Sequence, residues 1–192
     1  IIQTITYLYT RVSQPTKNDW KKIQRVLSFL KGNINGKRII GAAKLNSLIT
    51  WVNTAYAIHD NMRSQTGGAM SFGLGLVHGC SSKQKLNTKS STEAELISVS
   101  EYLLYKICLT IFLQEQGYPI KNNILMQDNT SAIKLETNGQ NSCIGNSRHI
   151  DVRYFLLQTE SNKGKLKFII APLTRCWQTS LQSLYKEVYL SF

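Results

Sequence analysis

The stretch KSSTEAELISVS, Lys89 to Ser100, sets a polar run before two glutamates, Glu93 and Glu95, that stand two positions apart. From Ser91 to about Gln116 the apolar residues Leu96, Val99, Leu103, Ile107 and Leu113 recur at helical spacing, and Gly117 and Pro119 end the run. The polar residues ahead of it fit a capping box either as Thr92 with Glu95 or as Ser90 with Glu93. Acids in a first helical turn also offset the macrodipole. One glutamate is thereby explained, but two residues apart on a helix project about 200° from each other. Glu95 adjoins the apolar face through Leu96 and Val99, whereas Glu93 points toward solvent, so Glu95 is the one expected to look inward.

Outward from this helix the chain reads as an α/β layout around a mixed sheet. PTKNDWKKIQRVLSFLKGNING sets Trp20, Ile23, Val26, Leu27 and Leu30 on one helical face, with Asn18 as N-cap and Gly32 as stop. KRIIGA, SLITWVNTAYA and GAMSFGLGLVHG read as glycine-punctuated strands. Leu48 to Ala57, Gly68 to His78 and residues after Gly79 are expected to pair antiparallel, with Ile124 to Gln127 added in parallel beside the first. Two helices, over NTSAIKLETN and RHIDVRYFLLQTES, and a last strand, GKLKFII, complete the order. No repeat or low-complexity tract occurs.

A chain of 192 residues, 42% hydrophobic, suits one domain with a remnant of a second. Its 23 Lys+Arg against 11 Asp+Glu give a formal +12, which favours a polyanionic partner, with a merely soluble basic surface as the lesser alternative. The four cysteines, 80, 108, 143 and 176, lack CxxC spacing and read as reduced intracellular thiols. The longest apolar run, Tyr102 to Leu113, is short for a bilayer and interrupted by Lys106, so no membrane segment is expected. The chain opens on Ile1, which suggests a piece of something longer.

Asp128 sits at the carboxyl end of an apolar strand just before a helix, where α/β sheets present ligand sites, though an N-cap role alone would also explain it. Two acids brought together at a strand end repel unless a cation neutralises them. A Mg²⁺ pair would do so and would suit in-line attack on a phosphodiester.

SSTEAELISVSEYL, QDNTSAI, NSRHIDVRYFL, TRVSQPTKNDWKKIQRVLSFLKG and WVNTAYAIHDNMRSQTGGAMSF together resemble the carboxyl end of the Pol polyprotein of a copia-type LTR retrotransposon, from about Tyr7 to Lys167. The resemblance implies an α/β, RNase H-like fold, a mixed sheet flanked by helices, preceded by a helical reverse-transcriptase remnant. Residues 1–44 would be that remnant, 45–170 the RNase H-like domain and 171–192 a frameshifted tail. It further implies an Asp, Glu, Asp, Asp constellation that holds two Mg²⁺ and hydrolyses the RNA strand of an RNA:DNA hybrid, in the cytoplasmic retroelement particle. Position by position, the glutamate falls on Glu95 and the second aspartate on Asp128, which become the metal ligands. His149 and Asp151, with Arg148 before them, match a block expected to be structural or substrate-facing.

Two departures qualify the resemblance. The first aspartate is replaced by Asn53, whose amide oxygen can coordinate Mg²⁺ but brings no charge. The tail APLTRCWQTSLQSLYKEVYLSF replaces the segment that carries the fourth aspartate. Arg175 to Leu190 admits a coding sequence that yields MLADFFTKPLQGSLF in a shifted frame, hence the frameshift near Phe168 to Ile170. The expectation is a domain that ancestrally cut hybrids and is inactive in this copy. The alternatives are a non-catalytic basic hybrid- or dsRNA-binding domain, or a fossil reading frame that makes no stable protein.

Overall fold

The computed structural model describes residues 1–37, 40–133 and 167–170. In chain order these form α1 (Ile2–Tyr9), α2 (Lys17–Gly32), β1 (Ser47–Ala55), β2 (Gln65–Ser71), β3 (Leu76–Lys83), α3 (Ser91–Glu115), β4 (Asn122–Gln127) and β5 (Lys167–Ile170). A further helix begins at Thr130. The five strands make one sheet in the order β3-β2-β1-β4-β5. β1, β2 and β3 pair antiparallel, while β4 joins β1 in parallel and β5 joins β4 in parallel.

Strand alternation decides which face is the core. Leu48, Val52, Met70 and Phe72 turn to the face that α3 covers, and they meet Leu96, Val99, Tyr102 and Leu103 of that helix. The helix comes close to the strand at Gly68, where a Cβ would stand 2.1 Å from the Tyr102 ring. Only a glycine leaves room for that ring, whose hydroxyl lies 3.0 Å from His78 Nδ1. α3 itself has an 18-residue window of mean hydropathy 1.6, long and apolar enough to cross a bilayer. The helix, longer than its apolar core Tyr102 to Leu113, here serves to cover the sheet.

On the opposite face α1 packs against β3. Gln65 Nε2 donates to Ser81 Oγ at 2.8 Å and to Thr6 Oγ1 at 3.2 Å, and Tyr7 stacks on His59 with centroids 5.4 Å apart. α2 is capped by Thr16, whose hydroxyl accepts from Asp19 N while the Asp19 carboxylate accepts from Thr16 N.

Several expectations need correction. The α2 cap is Thr16 and not Asn18, because Thr16 and Asp19 form a reciprocal box two residues earlier. The run Gly68 to His78 is not one strand: it breaks after Ser71 and restarts at Leu76, with Gly73 at φ +107 in the turn. Of KRIIGA, Arg38 and Ile39 lie outside the described residues, and Ala42 makes only an isolated bridge to Phe72 and Gly73. α1 is an element that the pattern of the sequence did not suggest. The apolar stripe of α2 is a helical face as expected, but an exposed one, with Trp20 at 59% and Leu27 at 57%.

Candidate active site

Because β1 and β4 run parallel, their carboxyl ends open on the same edge of the sheet. The register pairs Trp51 with Met126, so two residues further along each strand stand Asn53 and Asp128. Glu95, in the second turn of α3, reaches the same edge from the covered face. Its Oε1 accepts from Thr54 N at 3.1 Å, and Gln127 Nε2 lies 3.5 Å from its Oε2. The same Thr54 N–H donates to Asn53 Oδ1 at 2.8 Å. The three positions singled out in the sequence, Asn53, Glu95 and Asp128, therefore gather at one strand-end edge.

The electrostatics of Glu95 follow from this placement. The residue is 6% exposed, and burial, reinforced by the negative charge of Asp128, pushes its carboxyl up to about 7. The bonds from Thr54 and Gln127 pull the other way and are outweighed. Asp128 is exposed at the mouth of the site.

The two glutamates divide as the helix geometry requires. Ser90 caps α3 by accepting from Glu93 N at 3.2 Å, and Glu93 Oε2 accepts from Lys89 N at 2.6 Å. The cap is thus the Ser90 with Glu93 alternative, displaced by one residue, and Glu95 takes no part in it. The corresponding capping role for Asp128 does not hold either. Asn129 Oδ1 accepts from Ser131 N and Ala132 N, each at 3.0 Å, so the neighbour caps the next helix.

Beneath the site a buried hydroxyl network, which the sequence reading missed, ties α3 to β1 and β2. Thr54 Oγ1 bonds Ser98 Oγ, and Ser98 Oγ lies 2.9 Å from Thr66 Oγ1. Gln84 Nε2 donates to Ser98 Oγ and to the Ala94 carbonyl, both at 2.9 Å. The signal available in the sequence was polar residues at inward parity: Thr54 follows Val52, and Thr66 precedes Met70 on the core face. Such a network fixes the height of Glu95 over the strand ends.

Arg148, His149 and Asp151 lie outside the described residues, as does the 171–192 tail. Among the described residues no three His, Cys, Asp or Glu side chains converge as a metal cluster. The site offers the carboxylates of Glu95 and Asp128 and the neutral oxygen of Asn53. That donor set suits one hard divalent cation that keeps most of its waters, and it lacks the charge to balance two.

No family model matches the chain. It is 31% identical over 159 residues, 82% of its length, to the retrovirus-related Pol polyprotein from transposon TNT 1-94 of Nicotiana tabacum, and spans 12% of that relative. Among solved structures it superposes on the foamy viral protease-reverse transcriptase in complex with RNA/DNA hybrid with TM-score 0.53 and 16% identity, over 88% of this chain and 22% of that one. It also superposes on LC11-RNase H1, isolated from compost, with TM-score 0.50 and 11% identity, over 74% and 99% of the two chains.

Proposed function

The chain belongs with the Pol polyproteins of copia-type retrotransposons and carries an RNase H-like fold, and from that premise we propose that it is an RNase H domain whose ancestral reaction, metal-dependent hydrolysis of the RNA strand of a hybrid, has lapsed while hybrid binding persists. Residues 45–170 would form the domain, 1–44 the end of a reverse transcriptase, and 171–192 a frameshifted tail. The observation that carries the reading is the meeting of Glu95 and Asp128 at one strand-end edge with an amide, Asn53, in the remaining place.

A bound Mg²⁺ would supply Lewis-acid stabilisation of the phosphodiester oxygens. Toward it Asp128 would present an exposed carboxylate, Asn53 an amide oxygen, and Glu95 a carboxylate that must first release its proton. Two negative charges cannot hold a metal pair, so activation of the nucleophile and stabilisation of the leaving group would fail together. The formal +12 charge of the chain is untouched by these losses and favours phosphate contacts that are shape-read and salt-dependent. Membership in such a polyprotein also favours the cytoplasmic retroelement particle as its place, with the rest of Pol as neighbour.

The test uses a labelled RNA:DNA hybrid and titration calorimetry with Mg²⁺. The expected result is no cleavage, roughly micromolar binding at low salt that fades as salt rises, and at most one weak Mg²⁺ site. Chelator-sensitive cleavage or two metal sites would overturn the lapsed activity. Absence of both cleavage and binding would overturn the nucleic-acid reading in favour of a fossil frame.

A further inference from the structure

A cleft of about 430 Å³ opens where α1, α2 and the connection from β1 to β2 meet, lined by Tyr7, Arg11, Lys21, Lys22, Arg25 and Asp60 among others. Its charge is organised. Arg11 is held by both acids of the lining, Nε to Asp19 Oδ2 at 2.9 Å and Nη1 to Asp60 Oδ2. Lys22 Nζ sits 4.0 Å from the centroid of the Tyr7 ring. Among the described residues neither Lys21 nor Arg25, one turn apart on α2, has an ion-pair partner. With four cations against two carboxylates, both committed to Arg11, the cleft keeps an excess of two positive charges. Tyr7, already stacked on His59, gives the lining cations for a phosphate more than a platform for a base.

We propose that this cleft, at Lys21 and Arg25, grips a backbone phosphate of the same duplex that reaches the Asn53 edge. The inference rests on the nucleic-acid reading above and adds a second foothold to it. The spacing supports one duplex for both sites. Asp60 follows Asn53 by seven residues, so their Cα atoms are at most about 25 Å apart, less than one duplex turn of about 34 Å. The connection that carries Asp60 is also fastened to the turn before α3, by Tyr56 OH to the Thr88 carbonyl at 3.4 Å and by Asn87 Nδ2 to the Asn61 carbonyl at 3.3 Å. The wall of the cleft that Asp60 supplies is therefore tied to the segment leading into α3, and Arg11, bonded to both Asp60 and Asp19, links that wall to α2.

The test compares hybrid binding across salt concentrations for the parent, K21E/R25E and the control K44E/K121E, which makes the same charge change at the opposite, amino-terminal end of β1 and β4. All four side chains are exposed, so folding should survive; K21Q/R25Q, with no charge reversal, serves if it does not. The expected result for K21E/R25E is a log–log salt slope smaller by about one, for the one phosphate lost, and affinity about tenfold lower at low salt, with the control close to the parent in slope. Equal slopes for the two variants would overturn the cleft while leaving hybrid binding intact, whereas a parent that binds no hybrid defeats the underlying reading. Inorganic phosphate alone, followed by amide shifts of residues 21 to 25, separates the sources: saturation as tight as that of the hybrid would assign the cleft to a free anion and overturn the duplex proposal.

Discussion

Asn53 and Glu95 share one donor: the backbone N–H of Thr54 lies 2.8 Å from the amide oxygen of the first and 3.1 Å from a carboxylate oxygen of the second. An amide tolerates this arrangement because it brings no charge to a pocket where Glu95 is already opposed by Asp128. Restoring an aspartate would crowd three carboxylates around one edge. Asn53→Asp should therefore destabilise the metal-free protein by on the order of 1–2 kcal/mol, a fall of roughly 2–8 °C in Tm. Saturating Mg²⁺ should reverse the order of the two proteins. Thermal melts in chelator and in Mg²⁺ read both effects, and a variant as stable as its parent in chelator would contradict the shared-donor account.

The raised Glu95 carboxyl makes stability depend on pH in a defined direction. Between the ordinary value of 4.5 and about 7 the folded chain holds a proton that the unfolded chain releases. The folded state binds more protons there, so stability falls as pH rises through that window and levels off above it. Glu95→Gln removes the dependence. It should be more stable than the parent by on the order of 2 kcal/mol above pH 7, with the gap closing below pH 4.5. Glu93→Gln should instead lose about 0.5–1 kcal/mol through its Lys89 bond. Urea midpoints from pH 4 to 8 distinguish them; a Glu95→Gln protein less stable than its parent at pH 8 would refute the assignment.

Asp128 and Asn129 separate charge from capping. Asn129→Ala should cost about 1 kcal/mol, since two backbone donors lose their acceptor. Asp128→Asn should cost little and should lower the Glu95 titration midpoint, though not to its ordinary value, because burial is the larger cause. A carboxyl-detected NMR titration measures the midpoint. An unchanged midpoint in Asp128→Asn would mean that the two acids do not feel each other.

Lys106 is a second buried ionisable group of α3, 0% exposed, with Nζ donating to the Ile124 carbonyl of β4 at 2.9 Å. Burial pushes its ammonium down to about 7. Between about 7 and its ordinary 10.5 the unfolded chain holds more protons, so this group adds stability as pH rises through that range and costs most below it. Lys106→Met should thus stabilise the protein at pH 6 by on the order of 2–4 kcal/mol and progressively less toward pH 10. A loss of stability at pH 6 would show that the carbonyl bond outweighs desolvation.

The readable parts of the chain were those whose burial is periodic. Leu96, Val99 and Leu103 announce α3, the run to Gln127 announces β4, and Glu95 and Asp128 follow from their places on those elements. The hairpin between β2 and β3 was hidden because glycines run through GAMSFGLGLVHG, so nothing local marks Gly73 as the turn. α1 was missed because IQTITYLY is β-branched and aromatic, and its helix is backed by packing against β3 and by the bond from Gln65 of β2 to Thr6. The hydroxyl network of Thr54, Thr66, Ser98 and Gln84 joins residues up to 44 positions apart, a pairing that no local pattern encodes.

The caps that start α3 and the next helix belong to Ser90, Glu93 and Asn129, never to Glu95 or Asp128. The acids of the edge are consequently spared any capping duty, and burial disfavours the charged form of Glu95. On the proposed reading, each can be exchanged for a neutral isostere at little cost to folding, and Asn53 stands where the resemblance expects such an acid. On the same reading, a nuclease assembled in this way would lose its chemistry before its fold, leaving an ordered scaffold that still presents cations to phosphates.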